Sequence, residues 1–577
     1  MKHRPPLADY LLAAVSRFHA GHVFRRFIAA TAKAADVQER ILLAKVRRNA
    51  DSDFGRRFHF DAIRSAADFI RRVPILSYED HQPYIERVKA GNLKALFGGR
   101  QRVQMFAMSS GTTAEPKYIP VTGHFLREYR AGWNAWGIKA LLDHREAMLR
   151  RIVQVSSRMD EARTSAGIAC GAITGLMAAT QKRLVRKYYV TPPCLADIDD
   201  PAAKYYTIMR LSVPADVAFV VAASPATQIK LARTADDHRE QLIRDIYDGR
   251  LWPELPVPSN VREQLRPRLR PDPAQARRLE SLIHRYGRLL PRHYWNLSFL
   301  GNWTGGTMSL YLPDLPEYFG RAPVRDIGLL ASEGRVSIPV DDDTPAGILD
   351  VTSNFFEFVP KDRIDEASPP AFRCHELDAA QEYFVLLTTS AGLYRYQLGD
   401  VVRVVGRTGQ APIVEFLNKG AHVSSTAGEK LTERQVILAV QRVAAALDIP
   451  LAACVLAPHW AQPPFYMLHV AAADRPVPAD HLAAAIDQAL QEINVEYAGK
   501  RRSDRLGPIR VNLVPAQFLA DLDRRRAERY RRGNEQYKHQ YLYTRPGDDA
   551  EFPGTSTATA SISPPVPPDR PPAGQVR

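Results

Sequence analysis

Met105-Phe106-Ala107-Met108-Ser109-Ser110-Gly111-Thr112-Thr113-Ala114-Glu115-Pro116-Lys117-Tyr118-Ile119-Pro120-Val121-Thr122 carries an apolar, strand-like run straight into four hydroxyl residues set around one glycine. Hydroxyls and bare backbone N–H groups suit phosphate oxygens, and a glycine, lacking Cβ, lets the backbone approach them closely. Lys117 follows within reach as a positive charge. The stretch is not a Walker A loop, whose lysine stands beside the second glycine of G-x-x-x-x-G-K-[ST]. Two readings stand here, a phosphate-binding loop and a plain polar hairpin turn, because Ser, Thr and Gly clusters are also ordinary loop composition.

On its N-terminal side, Leu7 to Arg48 has helical periodicity, with Phe24, Phe27, Ile28 and Ala32 and then Val37, Ile41, Leu42 and Val46. Asp51-Ser52-Asp53-Phe54-Gly55 breaks that pattern, and Ser77 is expected to cap a helix through Val88. On its C-terminal side, a long amphipathic helix is expected from His124 to about Arg150; its Trp133, Trp136, Ile138 and Leu141 have the spacing of core residues. Strands are expected at Ile152–Val155 and Ala218–Ala223, an irregular loop over Ser259–Pro273 and a helix over Pro273–Arg288. Leu297 to Met308 is a strand entering a glycine loop; it lacks the G-x-G-x-x-G order and so speaks against a Rossmann dinucleotide site. Asp326 to Val405 is β-rich.

After Phe416-Leu417-Asn418-Lys419-Gly420 the pattern changes to a smaller unit. Its expected pieces are a helix at Thr432–Ala446, strands near Ala453–Leu456 and Tyr466–Ala471, a helix at Pro478–Glu496 and a strand at Ile509–Val514. Eight prolines after Arg545, with almost no apolar periodicity, predict a disordered tail.

A chain of 577 residues has room for about three or four domain-sized units. Its 45% apolar and 24% charged residues are ordinary for a soluble protein. The net charge of +15 permits anionic partners, but the arginines are scattered and the one dense run is Arg524-Arg525-Arg526, continued by Arg529, Arg531 and Arg532. No basic platform interleaved with aromatics appears. The charge therefore reads as solvated surface that can attract anionic substrates such as ATP, and not as a nucleic-acid interface. Cys170, Cys194, Cys374 and Cys454 are far apart, with no C-x-x-C pair and no histidine spacing suited to zinc, which fits a reducing, cytoplasmic home. The apolar piece Leu11-Leu12-Ala13-Ala14-Val15 meets Arg17 and is too short for a signal peptide or a membrane span.

Three separated stretches, Ser109-Ser110-Gly111-Thr112-Thr113, Ala331-Ser332-Glu333-Gly334 and Tyr394-Arg395-Tyr396-x-x-Gly399-Asp400, together resemble the nucleotide motifs of the Gretchen Hagen family. These are acyl acid–amido synthetases of the adenylate-forming superfamily, which also holds acyl-CoA synthetases and luciferases. Trp303-Thr304-Gly305-Gly306-Thr307-Met308 with Tyr311-x-Pro313, and Gln536-Tyr537-Lys538, agree with it. The likeness runs from about residue 30 to 543 and implies a bacterial-type member. Two positions depart from the plant pattern: Leu329-Leu330-Ala331 lacks the tyrosine that precedes the second motif, and His539 follows Lys538 in place of Thr-Pro.

The resemblance implies an α/β fold: a large N-terminal adenylate-forming domain of mixed sheets and helices over 1–417, a smaller α+β lid over 418–545 hinged near Asn418-Lys419, and a loose proline-rich tail over 546–577. It implies a monomer that activates a carboxylic acid with ATP and Mg2+ and passes the acyl group to an amine, with transfer to coenzyme A as the alternative. Ser109, Ser110, Gly111, Thr112, Thr113, Lys117, Ser332 and Asp400 would bind ATP, Glu333 would hold Mg2+, and Lys538 would meet the α-phosphate as charge builds. Each role makes chemical sense: attack on a triphosphate needs donors and cations, Mg2+ prefers carboxylate oxygen, and an acidic residue can accept from ribose hydroxyls. Taken singly, Glu333 could be a surface glutamate, Asp400 a turn aspartate and Lys538 a solvated lysine.

Overall fold

The structure, a computed structural model, describes residues 21–99, 101–109, 117–181, 183–420, 423, 424, 426, 427, 429, 431–449, 453–461, 463–471, 478–502, 506–515, 517–529 and 539–554. It forms two compact units, Met1–His422 with Asp521–His539, and Val423–Ala520 with Gln540–Arg577.

The first unit is built on three sheets. Strands β1 (Val103–Ser109), β2 (Lys117–Thr122), β4 (Ala162–Arg163) and β5 (Ala169–Gly171) form one in the order β2-β1-β5-β4. Strands β3 (Arg151–Gln154), β6 (Val217–Val221), β7 (Phe299–Asn302) and β8 (Val324–Asp326) form a parallel sheet in chain order. All five residues of β6 are buried, as expected of a central parallel strand covered on both faces. Strands β9 (Leu330–Ala331) and β10 (Gly334–Arg335) make a tight hairpin. The third sheet has seven strands: β11 (Ser337–Ile338), β12 (Gly347–Leu349), β13 (Phe355–Pro360), β14 (Phe372–Arg373), β15 (Glu382–Thr388), β16 (Tyr396–Thr408) and β17 (Ala411–Lys419).

The N-terminal helices cover this seven-stranded sheet. Helix Ala34–Arg48 sends the Gln38 amide nitrogen to the carbonyls of Val351 (2.8 Å) and Asn354 (2.6 Å), and the Lys45 ammonium to Ser390 Oγ (2.9 Å). Just beyond it, Asn49 Nδ2 donates to the Tyr394 hydroxyl at 2.6 Å. Phe54 stacks on Tyr394 with ring centroids 4.9 Å apart, and Phe54, Phe60 and Phe69 are fully buried. Burying such rings contributes about 1.5–3 kcal/mol each, which makes this covering a main part of the core.

Several elements differ from their sequence-based bounds. Within the expected break at Asp51–Gly55, Ser52 caps a short helix, Asp53–Arg57, by accepting from the Gly55 N–H. The helix expected to reach Arg150 is Gly123–Asp143 and stops at His144, whose ψ of 68° is not helical. The stretch Ser259–Pro273 is not an open loop: helix Ser259–Leu265 and a 3-10 turn Arg266–Arg268 occupy it, because Val261 and Leu265, four apart, bury one face while prolines flank the helix. Strand β17 carries the first unit past Leu417, so the division falls after His422, and the expected hinge residues Asn418 and Lys419 are paired with Val401 and Asp400. Asp521–His539, expected in the small domain, belong to the first unit.

The second unit packs helices Glu433–Leu447 and Ala479–Ile493 with a sheet of β20 (Cys454–His459), β21 (Phe465–Ala471) and β22 (Arg510–Val514), after a short hairpin of β18 (Val423–Ser424) and β19 (Leu431–Thr432). Thr432 and Gln435 cap the first helix reciprocally. Leu542 adds a parallel bridge beside Leu456. Residues 546–554, expected in the tail, are part of this unit: Asp549 and Phe552 are buried in it, held by side chains of the sheet. Among the described residues no helix is long and apolar enough to cross a membrane.

Candidate active site

Three local structures bring the candidate residues together. In the hairpin of β1 and β2, Ser109 ends one strand directly opposite Lys117, which opens the next. Ser110, Gly111, Thr112, Thr113 and Lys538 lie outside the described residues. The hairpin of β9 and β10 turns on Ser332 and Glu333. A Cβ on Gly334, the residue after them, would stand 2.8 Å from Asn354 Nδ2, so that amide would have to shift.

The third structure is Leu393 to Asp400. Tyr394 N–H donates to His81 Nε2 (3.1 Å), so the His81 proton sits on Nδ1 and is donated to the Ser77 carbonyl (2.8 Å). Arg395 has a left-handed backbone, φ 44°. It is held there by a buried bidentate pair, Nη2 to Glu357 Oε1 at 2.8 Å and Nε to both Glu357 oxygens at 3.0 Å. Its Nη1 also donates to the Val73 carbonyl at 2.7 Å. Gly399 has φ 79° with open space around it, so glycine is chosen there for its backbone conformation. Asp400 follows, buried in β16.

Tyr396 gathers the pieces. Lys117 Nζ donates to its hydroxyl at 3.3 Å, and the hydroxyl donates to Glu333 Oε1 at 3.4 Å. Leu76 bridges to Tyr396 in parallel, with Leu76 N–H to the Arg395 carbonyl (3.0 Å) and Gln397 N–H to the Leu76 carbonyl (2.8 Å). That bridge delivers the first turn of helix Tyr78–Lys89, so that the Tyr78 ring lies 5.3 Å from Lys117 Nζ. Burial holds the Tyr396 hydroxyl far above the ordinary phenol range, reinforced by the charge of Glu333 and then by Tyr78, Asp400 and Glu79. Burial also pushes Tyr78 up to about 12, although the Tyr118 N–H at 2.8 Å opposes it. Glu79 is held below the usual carboxylate range by its own backbone N–H and Ser77, with a smaller pull from Lys117.

The structure thus brings Lys117 and Glu333 to one hydroxyl that also feels the charge of Asp400, with Ser109 and Ser332 at the adjoining strand end and turn. Tyr78, Glu79, His81 and Tyr396 join them without having been singled out from the sequence. Tyr396 stands inside the third motif and was within reach of sequence reading, whereas Tyr78 and Glu79 have no local signal beyond the cap at Ser77. The Trp303-Thr304 motif serves as a brace. Trp303 Nε1 donates to the Gly328 carbonyl (2.8 Å), and Thr304 donates from N and Oγ1 to Asp326 Oδ2 (2.6 and 2.7 Å). Burial pushes Asp326 up to about 6 despite these bonds. It shapes the turn that leads into β9, with the Gly328 N–H donating to Asp326 Oδ1 at 2.6 Å.

The charges of Glu333, Asp400 and Glu79 all act on the Tyr396 hydroxyl, and Lys117 donates to it. A triphosphate entering such a set needs a divalent cation to offset the repulsion. A single buried carboxylate with phosphate oxygens is a donor set that Mg2+ accepts. Glu333 fits that ion on its oxygen chemistry.

A large domain of three sheets followed in the chain by a small α+β unit, with Lys117 and Glu333 meeting at the Tyr396 hydroxyl, has the architecture of an adenylate-forming fold. The chain belongs to the GH3 family: its N-terminal domain model matches residues 23–324, its central domain model 347–419 and its C-terminal domain model 434–546. The chain is 28% identical over 450 residues to jasmonoyl–L-amino acid synthetase JAR6 of Nicotiana attenuata, covering 74% of this chain and 76% of that protein. It is 26% identical over 540 residues to indole-3-acetic acid-amido synthetase GH3.8 of Oryza sativa subsp. indica, covering 84% and 85%. The solved structure of the GH3.15 acyl acid amido synthetase superposes with a TM-score of 0.77 at 20% identity, covering 90% of this chain and 92% of that one.

Proposed function

We propose that this protein activates a carboxylic acid with ATP and transfers the acyl group to an amine, an amino acid being the acceptor that the relatives' names favour. The acid's oxygen attacks the α-phosphorus, the bond to the β-phosphate oxygen breaks and pyrophosphate leaves. The amine nitrogen then attacks the acyl carbonyl, loses a proton, and AMP departs with the mixed-anhydride oxygen. The observation that carries this reading is the meeting of Lys117 and Glu333, distant in sequence, at the Tyr396 hydroxyl, with the charge of Asp400 acting on the same group.

In this reading Lys117, Ser109, Ser110, Gly111, Thr112, Thr113 and Ser332 bind the phosphates, and Asp400 accepts from the ribose hydroxyls. Glu333 would hold Mg2+, which when bound would neutralise the triphosphate as charge shifts to the leaving pyrophosphate. Lys538 supplies a further positive charge at the α-phosphate. Tyr396 fixes the distance between Lys117 and Glu333 and, with its proton held firmly, stays neutral while charges change around it. We place the enzyme in the cytoplasm, on its four scattered, buried cysteines, acting as a monomer.

The test is pyrophosphate release from ATP and Mg2+ with a panel of aryl, indolyl and fatty acids, followed by addition of amino acids or coenzyme A. An amide and AMP are expected. A thioester would replace this reading with that of a coenzyme A ligase, and silence with every acid would overturn the enzyme assignment at this site.

A further inference from the structure

Away from the nucleotide motifs, the small unit sets one carboxylate oxygen between two imidazoles. His459 Nε2 lies 2.6 Å, and His469 Nε2 2.7 Å, from the same Asp549 Oδ2. The three potential ligand atoms all lie within 4.8 Å of one another. The register puts the two imidazoles on one face of the sheet. In the antiparallel pair of β20 and β21, His459 faces Phe465 and His469 faces Val455, so residues 455, 457, 459, 465, 467 and 469 share one face of the sheet. The chain after Leu542 then brings Asp549 onto that face. His469 and Asp549 are buried, while the His459 side chain is 25% exposed, so the cluster is closed on the protein side and open to solvent on one.

Two imidazole nitrogens and one carboxylate with an open fourth position form a donor set for a tetrahedral ion of the zinc(II) class. A side chain able to orient His469 stands beside it as well. Asn512 Nδ2 lies 3.1 Å from His469 Nδ1 and donates to the Pro553 carbonyl at 2.8 Å. Phe465 stacks on His459 with ring centroids 5.2 Å apart, and Phe552 lies 4.0 Å from the His469 ring, so apolar rings wall the donors.

We propose that His459, His469 and Asp549 form a second metal site, for a divalent ion of the zinc class, which ties residues 541–554 to the sheet of the small unit. The short nitrogen-to-oxygen distances belong to its proton-filled form, in which each Nε2 carries a hydrogen donated to Asp549. A metal ion takes the place of those two hydrogens. Each neutral imidazole moves its proton from Nε2 to Nδ1, the carboxylate stays anionic, and the nitrogen-to-oxygen separations open to about 3.3 Å, as ligands ~2.0 Å from a tetrahedral ion require. A water fills the fourth position. At His469 the new Nδ1–H needs an acceptor, so the Asn512 amide turns its oxygen inward. Metal binding thus turns on a change of tautomer at both imidazoles, with Asn512 setting the balance at His469.

The experiment uses the full chain, stripped with chelator and titrated with Co2+ and then Zn2+ in the absence of ATP. One equivalent of Co2+ should bind with the visible bands of a tetrahedral ion, and Zn2+ should displace it. Asp549→Asn, which keeps shape and hydrogen bonding but loses the charge, and His459→Gln, on the exposed rim, should each weaken binding by about tenfold or more. Asn512→Asp offers His469 Nδ1–H a permanent acceptor and should tighten binding by about tenfold, a gain that no unfolding could mimic. Absence of the bands in the parent chain, or equal affinity in the parent and in Asp549→Asn and His459→Gln, overturns the site.

Discussion

Lowering the pH from about 7.5 to about 4.5 should remove a defined part of this protein's stability through His81. The imidazole is fully buried, with Nδ1–H committed to the Ser77 carbonyl and Nε2 accepting from the Tyr394 N–H. A second proton would have to face that N–H, and burial alone holds the ring's pKa down to about 4, against 6.5 when exposed. Above 6.5 neither the folded nor the unfolded chain binds this proton, and the contribution of His81 is intact. Between 6.5 and 4 only the unfolded chain takes it up, so stability falls as the pH falls. At 1.36 kcal/mol per pH unit the whole interval is worth about 3 kcal/mol, a large share of a typical stability of about 5–15 kcal/mol. Urea unfolding of the parent and of His81→Asn at both pH values isolates this proton, because other titrating groups are common to both proteins. The asparagine amide can still offer an oxygen to Tyr394 but cannot ionise, so the advantage of the parent should shrink by about 2–3 kcal/mol at the lower pH. Parallel losses in the two proteins would refute the argument.

Arg395→Met leaves the Glu357 carboxylate buried without its bidentate partner and should cost about 3–5 kcal/mol in urea unfolding. Adding Glu357→Leu should recover most of that loss, and a double-mutant cycle without coupling contradicts the account. Asp400→Ala should weaken nucleotide binding about 10- to 100-fold by calorimetry, the cost of losing hydrogen bonds to a charged group, and slow both half-reactions. Lys538→Ala should lose acyl-adenylate formation by about two to four orders of magnitude, yet still convert synthetic acyl-adenylate and amine to amide near the parent rate. Equal failure in both steps would show that the lysine does not act on the first step alone.

The sequence made legible those parts of the fold whose signal is local. Ser77 marked the start of a helix, because a cap is a bond over three residues. The helical covering at Ser259–Leu265 was hidden by its flanking prolines and arginines, though its buried pair Val261 and Leu265 had the right spacing. In the site, Glu333 and Asp400 could be named from motif order. Arg395, in the same motif, turns out to clamp Glu357 and the Val73 carbonyl, a role that depends on segments tens to hundreds of residues away. The same limit hid the His459, His469 and Asp549 cluster. Its ligands are 10 and 80 residues apart, and only strand pairing and the return of the chain after Leu542 make them neighbours.

The covering of the seven-stranded sheet by the N-terminal helices sets a schedule for making this protein. Asn49 is synthesised 345 residues before Tyr394, and Lys45 the same distance before Ser390. At about 5–20 residues per second, that interval is roughly 20–70 s on the ribosome. Throughout it Phe54 lacks Tyr394, one of the rings it will stack on, and Gln38 has no strand to hold. The nascent chain therefore carries an unpaired apolar surface for most of its synthesis, and its yield in a cell should track the supply of ribosome-associated chaperones more closely than the final stability of the fold.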